Sequence, residues 1–136
     1  MADGMRAHGS WTMCFENQIF RSKVDGSTNK ETAEQWFEEL KSLILASERN
    51  ISEPWVALID VQSWNMASLD SWEHISYITD WMHEHNCILF CYVFSKEIQK
   101  FAIEKGIKSD GFMQFFFDCD EACEACVETL ADNKAS

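Results

Sequence analysis

Proline is almost absent from this chain: Pro54 is the only one among 136 residues, and glycines number five. Interdomain linkers and low-complexity segments are usually rich in one or both, so nothing here divides the chain into two domains. Basic residues are scarce as well, eleven Lys and Arg against 23 Asp and Glu, for a net charge of −12. Nucleic acid and anionic membrane surfaces require clustered cations to neutralise phosphates, and this composition excludes both as partners. Long apolar runs are missing too. The longest, residues 87–94, falls far short of the roughly 20 residues that span a bilayer. The first ten residues are polar and carry no signal-peptide core. A cytoplasmic location follows as the expectation, with the six cysteines held as reduced thiols.

What is present is an ordinary globular balance, 46% apolar and 25% charged. A domain of this length buries about two-thirds of its unfolded surface, so it needs neither disulfide nor metal to fold. Ten Phe, six Trp and two Tyr exceed the needs of such a core. Some are therefore expected on the surface, as a face for self-association or a ligand.

Along the chain, residues 1–9 read as a flexible leader, 10–132 as one domain and 133–136 as a frayed end. Residues 11–15 and 18–24 are two β-rich runs turning at Glu16-Asn17, with Asp25-Gly26 closing the second. Thr28 and Glu31 form a capping box for a helix whose stripe is Ala33, Trp36, Phe37, Leu40, Leu43 and Ile44. Residues 55–61 read as a buried strand. Ser68 caps a second helix with Leu69, Trp72, Ile75, Ile78, Trp81 and Met82 inward, ending near Asn86. Residues 87–94 form the next strand. Ser95 caps a third helix that carries Ile98, Phe101 and Ala102 and stops at Gly106. A strand over 112–117 follows, then a helix opened by Asp118 or Asp120 with Cys123, Cys126, Val127 and Leu130 on one side. The order β-β-α-β-α-β-α-β-α predicts an α/β fold. Its sheet is mixed but mostly parallel, flanked by helices joined through right-handed crossovers, with an antiparallel hairpin at its start.

Cys119, Cys123 and Cys126 have a spacing that superficially matches an iron–sulfur signature. On a helix, however, i, i+4, i+7 sets all three on one face, where cysteine packs as a small hydrophobe. Cys87 and Cys91, four apart on a strand, are expected to face the same side of the core. His83 and His85 are two apart on a helix and point to different faces, which disfavours a shared metal, and His74 lies on that helix's polar side. No metal, cofactor or catalytic group is assigned. Asp60 ends a buried strand, where α/β proteins present groups to a ligand crevice; its other role is to accept from backbone N–H groups in the following loop. The loop 61–67 and the helix starts at Ser68 and Ser95 belong to the same edge. There Ser63, Trp64, Asn65 and Lys96 would join them in holding a partner or a small anion, unless both serines serve only as caps.

Several segments resemble a known family. Pro54-Trp55-Val56-Ala57-Leu58-Ile59-Asp60 is similar to the "pWall-D" strand of bacterial SpoIIAA-like (STAS/SEC14-like) domains. Trp81 with His85-Asn86 resembles their "dW...hG" helix end. Phe116-Phe117-Asp118, with Glu121, Cys123, Cys126 and Val127, resembles their closing "FFd..eeAlaWL". Cys126 stands where the family often has Trp, and Asn86 where it has Gly. The resemblance spans roughly residues 10–131 and implies the SpoIIAA-like fold. In function it implies a non-enzymatic binding or regulatory module for a protein partner or a small anionic or lipid-like ligand. Regulatory members carry Asp-Ser-Ser-Gly, with a phosphorylated serine, where this chain reads Trp64-Asn65-Met66-Ala67-Ser68-Leu69-Asp70-Ser71. The basis for such a phosphoswitch is therefore missing. Two other functions remain open: a homodimeric scaffold whose aromatic patch is its interface, and a cysteine- or metal-dependent enzyme.

Overall fold

The computed structural model describes residues 10–27, 30–46, 51–62, 64–65, 70–95 and 112–135. Strands β1 (Ser10–Glu16) and β2 (Ile19–Ser27) form the opening hairpin, paired antiparallel from Ser10 opposite Asp25 to Glu16 opposite Ile19. Asn17 and Gln18 make the two-residue turn, with φ of 53° and 65°. Positive φ at both central positions is the sign pattern of a type I′ turn, whose twist matches that of the strands it joins. Gln18 thus belongs to the turn and not to the strand. Its unfavourable backbone is held from outside: its carbonyl accepts from Val56 N at 3.0 Å, and its side chain donates to the Glu53 and Pro54 carbonyls. Asp25-Gly26 does not stop β2, which continues to Ser27 because a further two-residue strand, β4 (Trp64–Asn65), pairs with its end.

Strand β3 (Trp55–Asp60) runs parallel to β2, β5 (Cys87–Val93) parallel to β3, and β6 (Met113–Phe116) parallel to β5. The sheet order is β1-β2-β3-β5-β6. Among the described residues only the first pair is antiparallel, as the alternation of strand and helix patterns predicted. The third expected helix, the Thr28–Glu31 cap and the caps at Ser68 and Ser95 involve positions outside the described residues.

Helices α1 (Lys30–Leu45) and α2 (Asp70–Glu84) cover one face of the sheet. Trp36, Phe37, Leu40 and Ile44 of α1, with Ile78 and Met82 of α2, pack on Phe20, Trp55, Ala57, Ile59, Phe90 and Tyr92. Helix α3 (Cys119–Ala135) covers part of the other face, setting Ala122 and Cys126 against Val56, Leu58, Leu89, Cys91 and Val93. The result is a three-layer α/β sandwich.

Two expectations fail at this level. Cys87 joins the α1–α2 side of the core and Cys91 the α3 side. The β3–β5 register jumps from Trp55 opposite Cys87 to Val56 opposite Leu89, so Ile88 is skipped and the alternation reverses. Val127 is 53% exposed instead of facing inward. One position beyond Cys126 rotates it about 100° away from the sheet.

Candidate functional site

Because β2, β3, β5 and β6 run in one direction, their carboxyl ends meet at one edge, where open α/β sheets place ligands. Asp60 is the last residue of β3, lying between buried and exposed. Its Oδ1 accepts from Gln62 N at 3.0 Å, and its Oδ2 accepts from Cys119 Sγ at 3.4 Å. The first contact is the loop-stabilising role weighed from the sequence; the second ties the edge to α3. Gln62 Nε2 donates to the Phe117 carbonyl at 2.8 Å, which clips the β3 loop to the end of β6. Asp118 opens α3, accepting from Asp120 N at 2.7 Å through its side chain and from Ala122 N at 3.1 Å through its carbonyl. Phe117, just before that cap, is 47% exposed.

The structure brings only part of the expected set together. Asp60 lies at the edge, and Ser95 follows β5 there, half-buried and with an interaction of its own. Trp64 and Asn65 contribute backbone pairing to Gly26 and Ser27, with side chains outside the described set. Ser63, Ser68 and Lys96 lie outside the described residues. Two cations escaped the sequence reading, Arg21 and Lys23. Both occupy the β2 face opposite Phe20, Ser22 and Val24, and Lys23 stands in register with Asp60. The i, i+2 alternation of polar residues in that strand is the signal that would have found them.

Since α3 leaves the hairpin's second face partly uncovered, a groove of about 320 Å³ opens between β1–β2 and the start of α3. Its lining includes Cys14, Arg21, Lys23, Asp60, Cys119 and Cys123. Burial pushes the Cys119 thiol up to about 11, and Asp60 acts the same way through its charge and its hydrogen bond. Deeper in the core the Cys91 and Cys126 sulfurs lie 3.9 Å apart in a hydrogen bond; Cys91 holds the shared proton, and that bond together with burial raises its thiol. Burial raises Cys87.

His83 and His85 are separately engaged. His85 stacks on Trp81 with centroids 4.1 Å apart and has Nδ1 2.7 Å from the Trp81 carbonyl. The His83 ring meets Phe112 edge-on at 4.8 Å. The side chain of His74 lies outside the described set. Among the described residues, no three His, Cys, Asp or Glu side chains converge as a metal site.

The Asp60–Cys119 contact yields a pH prediction. A thiol whose pKa is higher folded than unfolded adds stability that is fully present below its ordinary value of 9.0 and is lost as pH rises through about 11. Asp60→Asn keeps an oxygen for Gln62 N and removes the charge. We expect it to bring the alkylation midpoint of Cys119 down toward 9.0, read by iodoacetamide labelling against pH with residue-resolved mass spectrometry. An unmoved midpoint would show that Asp60 does not act on this thiol.

No protein-family model matches the chain, and no curated protein matches its sequence. Solved structures do. One is an uncharacterised protein of the DUF3478 family with a SpoIIAA-like fold, from Shewanella loihica PV-4. It matches at TM-score 0.60 and 20% identity over 88% of this chain and 94% of that one. Another is an anti-sigma factor antagonist from Mycobacterium paratuberculosis, at TM-score 0.66 and 12% identity over 88% of this chain and 94% of that one. No helix among the described residues is long and apolar enough to cross a membrane. The strand order, the division of helices between the two faces and these matches together establish that the chain has a SpoIIAA-like α/β fold.

Proposed function

We propose that this chain is a non-enzymatic regulatory module of the cytoplasm that binds a protein partner at the carboxyl edge of its sheet. The observation that carries the reading is Phe117. A large apolar ring, 47% exposed, stands on a segment fastened by Gln62 and by the Asp118 cap. Aromatic anchors on rigid supports are the usual centre of a protein interface. The surrounding Asp118, Asp120 and Glu121 are exposed carboxylates, so the complementary surface is apolar with a basic rim. Asp60 is already committed to Gln62 and Cys119, which favours a structural role for it over an acid–base one. The fold it shares with an anti-sigma factor antagonist supports the same reading.

Replacing Phe117 with a photoreactive benzoylphenylalanine tests this in the cell of origin. We expect one discrete crosslinked species, absent when the probe replaces exposed Glu128. A species of twice the chain mass would identify the partner as a second copy. A smear of products, or the uncrosslinked chain alone, would sink the reading.

A further inference from the structure

Strand β1 (Ser10–Glu16) forms one end of the sheet, and among the described residues nothing pairs with its outer side. An open edge offers a row of N–H and C=O groups, which proteins blunt with lysine, proline, a bulge or a very short strand. β1 uses none of these devices. It is 7 residues long, holds no Lys, Arg, Pro or Gly, and keeps an unbroken register with β2. Because Asn17 and Gln18 make a two-residue turn, Glu16 and Ile19 are a hydrogen-bonded pair. Pairing alternates along the hairpin, so the backbone N–H and C=O of Trp11, Met13 and Phe15 point away from β2. The side chains of the same residues pack, partly buried, on the α1–α2 side of the core. There the Trp11 indole donates to Glu39 Oε2 at 2.6 Å. Ser10, Thr12, Cys14 and Glu16 are exposed on the opposite face.

We propose that β1 is a self-association edge: it pairs antiparallel with β1 of a second copy, about a two-fold axis through Met13, and joins two sheets into one. The occupant follows from the strand's own sequence. In this register Met13 meets the partner's Met13 and Trp11 meets the partner's Phe15. Every outward group of the three residues is then used, each pair exchanging two N–H···O bonds. Trp11 and Phe15 make an aromatic cross-strand pair on either side of the axis, which extends the apolar layer of the α1 face. On the exposed face Thr12 stands opposite the partner's Cys14. Glu16, the one charge of β1, stands opposite the partner's Ser10, so no like charges meet directly although each copy carries −12. A shift of two residues in either direction sets Trp11 or Phe15 against a residue outside β1. The contact also closes on itself. Each copy has one β1, so two-fold pairing stops at a dimer, whereas pairing β1 with β6, at the other end of the sheet, would run on as a filament. The inference does not depend on the partner proposed for Phe117, which follows β6 at that far end.

The test uses the full chain. Sedimentation velocity over a concentration series is expected to show a monomer–dimer equilibrium. Met13→Pro removes an outward N–H that the β1–β2 ladder does not use, and an edge strand tolerates proline at such a position. With its circular dichroism unchanged, this variant is expected to raise the dissociation constant by about thirtyfold, the loss of two ordinary backbone hydrogen bonds at the axis. Should the proline variant fail to fold, Thr12→Cys reads the same register from an exposed position. Its introduced thiol belongs to a residue about 4.5 Å, Cα to Cα, from the partner's Cys14, which is within disulfide range. Mild oxidation is therefore expected to give a covalent dimer that mass spectrometry assigns to that pair. A monomer at every concentration would overturn the proposal. So would an unchanged dissociation constant in folded Met13→Pro, or oxidation of Thr12→Cys that links no chains or links them through another pair.

Discussion

Trp55→Ala is expected to destabilise the fold by about 3–5 kcal/mol, the range for removing a buried aromatic side chain. Trp55 is 0% exposed and opens β3 at the meeting point of hairpin, sheet and α2. Phe15 and Phe20 meet its ring edge-on at 5.9 and 6.4 Å. The indole N–H donates to the His85 carbonyl at 2.7 Å, and the Trp55 amide donates to the Asn86 carbonyl at 3.1 Å. Asn86 itself takes φ of 78° to end α2, the left-handed conformation its position in the sequence implied. The indole thus satisfies a carbonyl at a helix terminus, where no intrahelical donor remains. Trp55→Phe keeps most of the volume and loses that bond, so a smaller cost of about 1–2 kcal/mol is expected. Urea titration followed by circular dichroism separates the two. Equal losses for Ala and Phe would mean that the hydrogen bond, and not the packing, carries the effect. With about 5–15 kcal/mol available to a domain of this kind, the Ala variant is expected to be partly unfolded at 37 °C.

Ser22→Ala is the next largest, at about 2–4 kcal/mol. Ser22 is a polar side chain buried in β2. Its hydroxyl accepts from Trp36 Nε1 at 2.9 Å and donates to the Thr12 carbonyl at 2.8 Å. One oxygen thereby joins α1, β2 and the edge strand β1. Removing it strands a buried indole N–H and weakens the support of a carbonyl, and an orphaned buried group costs about 1–3 kcal/mol. Trp36→Phe removes the orphan donor. The double variant is therefore expected to be less destabilised than the two single losses summed, with a coupling of about 1 kcal/mol or more by double-mutant cycle. Strict additivity would show that the Trp36–Ser22 bond contributes nothing in solution.

Much of the scaffold was legible in local pattern. Trp36, Phe37, Leu40 and Ile44 recur at helical spacing and are buried on one face of α1. The run 55–60 is apolar on both sides because both of its faces are covered, one by α1 and α2 and the other by α3. Asn86 and Asp118 mark helix ends through their own chemistry, and the loop-accepting role of Asp60 follows from its place after a buried strand. Of the residues expected to form a site, Asp60 and Ser95 lie at the described edge, and Asp60 meets Gln62 and Cys119 there. The cations and thiols of the groove were not put together beforehand, because Arg21 and Cys123 are joined only across the folded chain.

The amino-acid sequence by itself determined the α/β class, the largely parallel sheet and the inward face of α1. Each of these depends on periodicity over neighbouring residues, and burial selects such patterns locally. Tertiary structure decided the rest: the bulge that parts Cys87 from Cys91, the outward turn of Val127, the exposure of Phe117 and the groove that α3 leaves beside the hairpin. These depend on strand register and on which surface each helix fails to cover. Both are set when distant segments close against one another, and no window of adjacent residues contains that information.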